Sequence, residues 1–261
     1  MRPPVGSGSR PASAAELLWA LVRTDFKSRY HGSLSGFVWA LLKPLAMFVV
    51  LLAVFSFVFA TRSDYRLNLI IGLFLWDFFN ESTRVGLISL HAKGFLLSKA
   101  RFPSWIVVAA SAANPLLTLA VFATAILGFL AASGRPPAAV NVALFLLYVV
   151  CLLGVVVGFS LAASVLFLRY RDLNQVWEVA LQAGFFLAPV VYPLDIVPER
   201  FHYLLYLWVP TPFIEFSRAV LVEGVVPTVR GHVLLVAATV TVLLVGTAVF
   251  RHFSPRAAEY L

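Results

Sequence analysis

Basic and aromatic side chains gather immediately before the first long apolar stretch of the chain. Arg23, Lys27, Arg29 and His31 lie within nine residues, and the apolar run 37–60 follows them. Positive side chains beside a membrane-spanning segment hold that end of it in the cytoplasm. Guanidinium and ammonium groups against an apolar wall could also hold the phosphate of a lipid carrier whose tail stays in the membrane. The candidate lipid-phosphate residues are Arg23, Lys27, Arg29, Tyr30, His31 and Lys43.

Three ionisable residues interrupt the second apolar stretch. Asp77, Glu81 and Arg84 are four and three residues apart, so they fall on one side of a helix, and Glu81 can pair with Arg84. Ionisable groups at membrane depth are costly unless they face protein or a wet cavity. The pattern is compatible with a structural ion pair at a helix or subunit interface, and also with a place in a substrate path.

Aromatic residues form a stripe along the first apolar run. The spacings between Phe37, Phe48, Phe55 and Phe59 place all four within one narrow sector of a helix. Such a stripe either faces lipid or a neighbouring helix, or it offers stacking surfaces to sugar rings. Together with Trp39, these residues are the candidate aromatic lining of a glycan path.

The composition is that of an integral membrane protein. Hydrophobic residues make up 61% of the chain and charged residues 12%, whereas soluble domains have roughly 45–50% and about 25%. Apolar runs of roughly 20 residues recur, each long enough to cross the bilayer as a helix. The formal charge of +8 does not imply nucleic acid, because the cations lie between apolar segments. Cys151 is the single cysteine, which excludes a disulfide framework or a cysteine metal cluster.

We predict an all-α polytopic membrane protein with six transmembrane helices and both termini in the cytoplasm. The predicted spans cover about residues 37–60, 67–90, 105–132, 139–168, 176–192 and 230–250. Twelve Lys and Arg fall in the cytoplasmic segments and six in the outer segments, and this bias supports the orientation. The predicted divisions are a disordered cytoplasmic tail over 1–12, a transmembrane domain over 13–250 and a second cytoplasmic tail over 251–261.

Local signals predict further features within these elements. Ser13 and Glu16 have the spacing of a capping box, and an amphipathic helix over 13–30 would lie on the inner leaflet or pack on a partner. The Asn114–Pro115 pair predicts a bend. Gly154 and Gly158 have the spacing that lets helices approach closely. The fifth span is short and carries Glu178 and Gln182.

Two connections are unusual. Residues 91–103, HAKGFLLSKARFP, place apolar side chains in a charged frame outside the membrane, which indicates a surface that another protein covers. Residues 193–224 are broken by prolines into two short segments, neither of which can cross. Such a pair predicts a re-entrant or interfacial hairpin on the outer side.

Five stretches of the chain have a recognisable pattern: DFKSRYHGSLSGFVWALLKPL, FLWDFFNES, LLSKARFPSW, RYRDL and FFLAPVVYPLDIVPERFHYLLYLWVPTPFIEFSRAVL. Together they resemble the membrane subunit of polysaccharide-exporting ABC transporters, a group within the ABC-2 permease superfamily that handles O-antigens, capsules and teichoic acids. The likeness runs from Ser13 to Phe250 in matching order. It implies that two permeases assemble with two ATPase subunits in the bacterial inner membrane.

The resemblance also implies roles for the two connections. The segment 91–103 would be the coupling helix seated in the ATPase, and the outer hairpin would gate the exit. The implied coupling residues are Leu96, Leu97, Lys99, Arg101 and Phe102. The implied gate residues are Pro193, Pro198, Pro210, Pro212, Glu215 and Arg218.

The residues themselves favour a transport subunit driven from outside. The chain has no G-x-x-x-x-G-K-[ST] loop, no H-E-x-x-H and no paired Asp-rich motif. We therefore expect no cofactor on this chain, with ATP and Mg²⁺ on the partner ATPase, and a homodimer that lines a path for a lipid-linked glycan.

Three alternatives remain open. A drug- or lipid-exporting permease of the same superfamily is the nearest. An ion-coupled secondary transporter would use Asp77, Glu81 and Arg84 as its relay, although the chain shows no inverted repeat. A membrane-embedded enzyme would need a convergent site, and His202 with Glu199 is the nearest approach to one.

Overall fold

The computed structural model describes residues 13–30, 34–59, 62, 64–95 and 103–257, and all regular structure in them is helical. The helices that lie wholly within these residues are α1 (Ala14–Tyr30), α2 (Leu34–Phe55), α3 (Tyr65–Ala92), α4 (Trp105–Ser111), α5 (Ala113–Ala132), α6 (Ala139–Arg169), α7 (Leu173–Leu187), α8 (His202–Leu207), α9 (Pro210–Arg218) and α10 (Val229–Ala257). The all-α prediction is confirmed for this part of the chain.

Within the residues that the structure describes, four helical segments are long and apolar enough to cross a membrane. They cover residues 38–55, 105–132, 139–169 and 229–255, and each falls on a predicted span. The other two predicted spans differ in kind. α3 has 28 residues but a polar middle, while α7 has 15 residues and a length of only about 22 Å. Six crossings therefore stay a prediction.

α3 is the central helix of the bundle. It packs against α2, α4, α5, α6, α7 and α9, and sixteen of its residues are buried. Those buried residues are apolar, small or hydroxyl-bearing, and they account for its central place. Asp77, Glu81 and Arg84 lie on its less buried side.

The N-terminus of α1 is closed by the predicted capping box. The backbone N–H of Ser13 donates to Glu16 Oε2 at 2.8 Å, and the backbone N–H of Glu16 donates to Ser13 Oγ at 3.2 Å. Further along α1, Leu21 packs against a cluster that includes Leu90, and Asp25 forms an ion pair with Lys93. α1 is therefore fixed to the end of α3.

Contacts at the two ends of the bundle follow the predicted alternation of sides. Ion pairs Arg62–Asp195 (2.6 Å) and Arg135–Asp64 (3.2 Å) join segments predicted to lie outside. The Asp25–Lys93 pair and the Arg171–His91 contact join segments predicted to lie in the cytoplasm. Segments assigned to one side thus meet one another, while the sidedness itself stays a prediction.

Prolines end or bend two helices at positions that differ from the predicted ones. The third span breaks at Ala112, between α4 and α5, because the ring of Pro115 clashes with the carbonyl one turn earlier and provides no N–H for it. The predicted fifth span reached residue 192, but α7 ends at Leu187. Ala188 adopts an extended conformation (φ −72°, ψ 137°), as the residue before a proline usually does.

Glycines allow α6 and α10 to touch backbone to backbone. A Cβ added at Gly158 would lie 2.7 Å from the carbonyl oxygen of Val242, and one at Gly246 would lie 1.9 Å from the carbonyl oxygen of Gly158. A Cβ at Gly154 would lie 3.0 Å from a methyl carbon of Thr239. The close approach predicted from Gly154 and Gly158 is confirmed, and Gly246 is its counterpart on α10.

Gly246→Ala should destabilise the protein by separating α6 from α10. Overpacking of a tight contact costs on the order of 1–3 kcal/mol, so the thermal unfolding midpoint of the detergent-purified protein should fall. Gly128→Ala is the matched control, because Gly128 also lies within a helix and a Cβ there meets nothing within 4 Å. Equal midpoints for the two variants would contradict the packing described here.

Candidate functional site

An open groove runs between α3 and α7. Its half nearer the 193–224 hairpin, called the outer half after its predicted side, has a volume of about 480 Å³ and is lined by Trp76, Asn80, Arg84, Glu178, Gln182 and Phe185 among others. The other half, called the inner half, has about 490 Å³, shares Arg84 and Glu178 and adds Glu81, Phe167, Arg171, Asn174 and Gln175. We call these two halves the α3–α7 groove. Its surface combines charged and amide side chains with aromatic ones.

An ion pair bridges the groove at its middle. Arg84 Nη2 donates to Glu178 Oε1 at 2.8 Å, which joins α3 to α7. The sequence indicated that Arg84 could pair with Glu81 on the same helix. In the structure Arg84 pairs with Glu178, which lies 94 residues away on the short helix α7. The sequence marked Glu178 only as a polar residue of the short fifth span.

Glu81 also lines a second, smaller cavity. This cavity of about 60 Å³ lies between α2, α3 and α5, and Lys43, Asp77, Glu81 and Thr118 line it. An ammonium group in a membrane-spanning helix is costly unless opposite charge is near. The two carboxylates of α3 line the same cavity as Lys43.

Trp76 and Phe185 line the groove, and further aromatic rings pack near them. The ring of Trp76 lies 5.7 Å from that of Phe185 and 6.4 Å from that of Trp208. Trp177 stacks on Phe159 at 4.2 Å, and its Nε1 donates to Thr83 Oγ1 at 3.1 Å. The sequence analysis did not propose these rings, although Trp76 directly precedes the polar Asp77.

The aromatic residues proposed from the sequence lie on α2 and in the loop after it. Phe48, Phe55 and Phe59 pack against the main core, and Phe59 contacts Tyr65 with ring centroids 5.0 Å apart. Trp39 is 65% exposed. The side chain of Phe37 lies outside the described residues. The stripe thus packs against the protein core in a single chain.

The structure describes only part of the basic cluster and of the coupling segment. Arg23 and Lys27 are exposed on α1. His31, together with the side chains of Arg29 and Tyr30, lies outside the described residues. The same is true of the coupling residues Leu96, Leu97, Lys99, Arg101 and Phe102.

The outer hairpin contains more elements than the two short helices predicted. Two 3₁₀ turns, Leu194–Ile196 and Glu199–Phe201, precede α8 and α9, and a π-helical turn, Ala219–Glu223, follows them. Pro193 and Pro198 stand directly before the two 3₁₀ turns. Pro210 and Pro212 occupy the first turn of α9, where a missing N–H is tolerated.

A buried arginine fixes this hairpin to the bundle. Arg218 is 5% exposed. Its Nε donates to the carbonyl of Asn68 at 2.9 Å, Nη1 to that of Pro189 at 2.6 Å and Nη2 to that of Val190 at 2.8 Å. Gly72 makes room for it, because a Cβ there would lie 2.5 Å from Nη2. One guanidinium thus joins α9, α3 and the segment after α7.

Glu215 neutralises this arginine. Arg218 Nη1 also donates to Glu215 Oε1 at 2.8 Å, one turn earlier on α9. α9 is too short to span the membrane. Burial raises the pKa of the Glu215 carboxyl, and the charge of Arg218 opposes this shift. Burial likewise lowers the pKa of the Arg218 guanidinium, against the effect of Glu215.

Comparison with known proteins places these features in a family context. The family model described as "ABC-2 type transporter" matches residues 16–222. The O-antigen export system permease protein RfbA of Klebsiella pneumoniae is 26% identical over 250 residues, which cover 94% of this chain and 95% of the relative. The protein of the same name in Myxococcus xanthus is 27% identical over 251 residues, 93% and 94% of the two chains. The polysialic acid transport protein KpsM of Escherichia coli is 23% identical over 239 residues, 89% and 91% of the two chains.

Replacing Arg218 should destabilise the hairpin strongly. Arg218→Met leaves Glu215 and three carbonyl groups without their donor, and removing one partner of a buried pair costs about 3–5 kcal/mol. Arg218→Lys keeps the charge but reaches fewer acceptors, so we expect a smaller loss. The free energy of unfolding in detergent measures both.

Arg200→Lys is the control for these variants. Arg200 is exposed, and its guanidinium lies over the ring of Phe201 at 4.8 Å. The free energy of unfolding of Arg200→Lys should therefore stay close to that of the wild type. If Arg218→Met were as stable as this control, Arg218 would not be what fixes the hairpin.

Proposed function

Because the chain belongs to the ABC-2 type transporter family, we propose that it is the permease subunit of an ATP-driven exporter of a lipid-linked polysaccharide. The cargo would be an O-antigen, a capsule or a teichoic-acid-like glycan, moved outward across the bacterial inner membrane. The observation that carries this proposal is the match over about nine tenths of the chain to permeases named for O-antigen and polysialic acid transport.

The α3–α7 groove is the surface that suits such a cargo. Its aromatic rings can stack on sugar faces without demanding one sugar sequence, and Asn80, Gln182 and the Arg84–Glu178 pair offer hydrogen bonds to hydroxyl groups. Arg84, which is predicted to lie within the membrane, would then line the path of the glycan. Lys43, Asp77 and Glu81 would stabilise the helices beside it.

A second copy of the chain would complete the path. The groove is open on one side, and polar side chains facing lipid are costly. A two-fold pair would cover both grooves at once and enclose a passage between them. We propose a homodimer on this ground, with α3 and α7 completing six crossings in each subunit and with both termini in the cytoplasm.

Energy would come from two copies of an ATPase subunit that hold ATP and Mg²⁺. The segment that carries Leu96, Leu97, Lys99, Arg101 and Phe102 would seat in each ATPase, and its movement would shift α3 directly, since α3 ends at Ala92. The outer hairpin would gate the exit.

Deletion of the gene tests the proposed function. The lipid-linked glycan should accumulate on the cytoplasmic face, and surface glycan should be lost while drug susceptibility stays unchanged. Gel analysis and surface labelling of the glycan measure this. Normal surface glycan with raised drug susceptibility would instead favour the drug-exporting alternative.

Charge reversal in the coupling segment tests the transmission of energy. Lys99→Glu with Arg101→Glu should lower export roughly tenfold or more, because the contact with the ATPase is lost, while ATP hydrolysis continues. Arg251→Glu serves as a control on the same predicted side, since Arg251 is exposed near the end of α10. Normal export by the double variant would exclude this role for the segment.

A further inference from the structure

An arginine and a histidine are held together at the inner end of the α3–α7 groove. Arg171 lies in the turn between α6 and α7, and His91 lies in the last turn of α3. Nη1 of Arg171 approaches His91 at 2.9 Å from Nε2 and 3.3 Å from Nδ1. Phe167 supports both groups, with its ring centroid 5.9 Å from that of His91 and 5.7 Å from the guanidinium carbon of Arg171.

The charge of Arg171 is not balanced as that of Arg84 is. Arg84 pairs with Glu178 in the same groove. Among the described residues no carboxylate forms an ion pair with Arg171. Its contact is with an imidazole, which accepts a hydrogen bond only when it is neutral. A guanidinium has five N–H donors, so the contact with His91 leaves donors that can serve a ligand in the groove.

The donors beside Arg171 suit a phosphate. Asn174 and Gln175 line the same half of the groove with side-chain amides. The carboxylates of Glu81 and Glu178 also line it, and Glu178 is paired with Arg84, so Arg171 is the cation there that is left for a ligand. Fork-shaped guanidinium donors match the oxygens of a phosphate, and such charge-assisted hydrogen bonds are among the strong ones. The volume of about 490 Å³ leaves room for a diphosphate with a sugar.

We propose that Arg171, positioned by His91 and Phe167, binds the phosphate that joins the lipid to the glycan as the cargo enters the groove. This inference rests on the proposed function, since it takes the lipid-linked glycan as the cargo. It adds a phosphate site on α3 and α6–α7 to the candidate residues of the N-terminal basic cluster. The ligand class is a polyprenyl phosphate or diphosphate, recognised by its phosphate.

The test uses Arg169 as a matched control. Arg169 is two residues from Arg171, and its guanidinium lies over the ring of Tyr170 at 5.3 Å, outside the set of residues that line the groove. Arg171→Gln and Arg169→Gln therefore remove the same charge from the same turn. A difference between them isolates the specific contact from the general attraction of anions.

Binding is measured on the permease–ATPase complex in phosphatidylcholine nanodiscs, with a long-chain polyprenyl diphosphate as the probe. Arg171→Gln should raise the Kd roughly tenfold, as the loss of a charge-assisted hydrogen bond implies. Arg171→Lys should lie between this variant and the wild type. Arg169→Gln should stay within about twofold of the wild type, and inorganic pyrophosphate should compete with the probe.

Four results would overturn the assignment. If Arg171→Gln and Arg169→Gln weaken lipid binding equally, Arg171 contributes only the general attraction of a cation for anions. Loss of the ATPase from Arg171→Gln with unchanged lipid affinity would assign Arg171 to the subunit contact. Tight binding of phosphatidylglycerol with the same dependence on Arg171 would make this a bulk-lipid site. If inorganic pyrophosphate does not compete with the probe, the protein recognises the polyprenyl tail of the probe rather than its phosphates.

The thermal unfolding midpoint of each variant separates a lost contact from a lost fold, and Arg171→Lys keeps the test decisive if the glutamine variant does not fold. If Arg171→Gln binds the lipid normally while deletion of the gene still abolishes surface glycan, the site is wrong and the proposed function stands.

Discussion

Ionisable side chains in an apolar environment must face protein, water or an opposite charge, and this requirement organises the bundle. α3 carries Asp77, Glu81 and Arg84 in its middle and lies against six other helices. Lys43 of α2 and Glu178 of α7 approach it from two sides. Several ionisable groups of the bundle therefore meet at α3, while Arg218 and Glu215 of α9 satisfy one another beside it.

Local chemistry was predictable from the sequence, and distant pairing was not. The capping box of Ser13 and Glu16 and the contact made by Gly158 depend on spacing within one helix, and both are present. The partner of Arg84 could not be deduced, because Glu178 lies on another helix and Glu81 offered a nearer carboxylate. Arg218 was singled out only through the resemblance to a family, since its carbonyl acceptors leave no mark in side-chain patterns.

The sequence predicted that prolines would interrupt helices, but the interruptions lie at other residues than those predicted. Pro115 breaks the third span one turn before itself, at Ala112, because the lost hydrogen bond belongs to the preceding turn. Pro189 ends α7 earlier than hydrophobicity suggests, since the residues beyond Leu187 remain apolar. Apolar runs thus overstate helix length wherever a proline follows.

The strength of the contacts around the α3–α7 groove differs along its length. Near the hairpin, Arg218 joins α3 to the segment after α7 through buried hydrogen bonds, which are costly to break. At the middle Arg84 and Glu178 are partly exposed, at 44% and 33%, and such pairs contribute only about 0–1 kcal/mol. The contacts of Arg218 near the hairpin are therefore costlier to break than the ion pair at the middle of the groove, so the hairpin is held to α3 more firmly than α7 is held there.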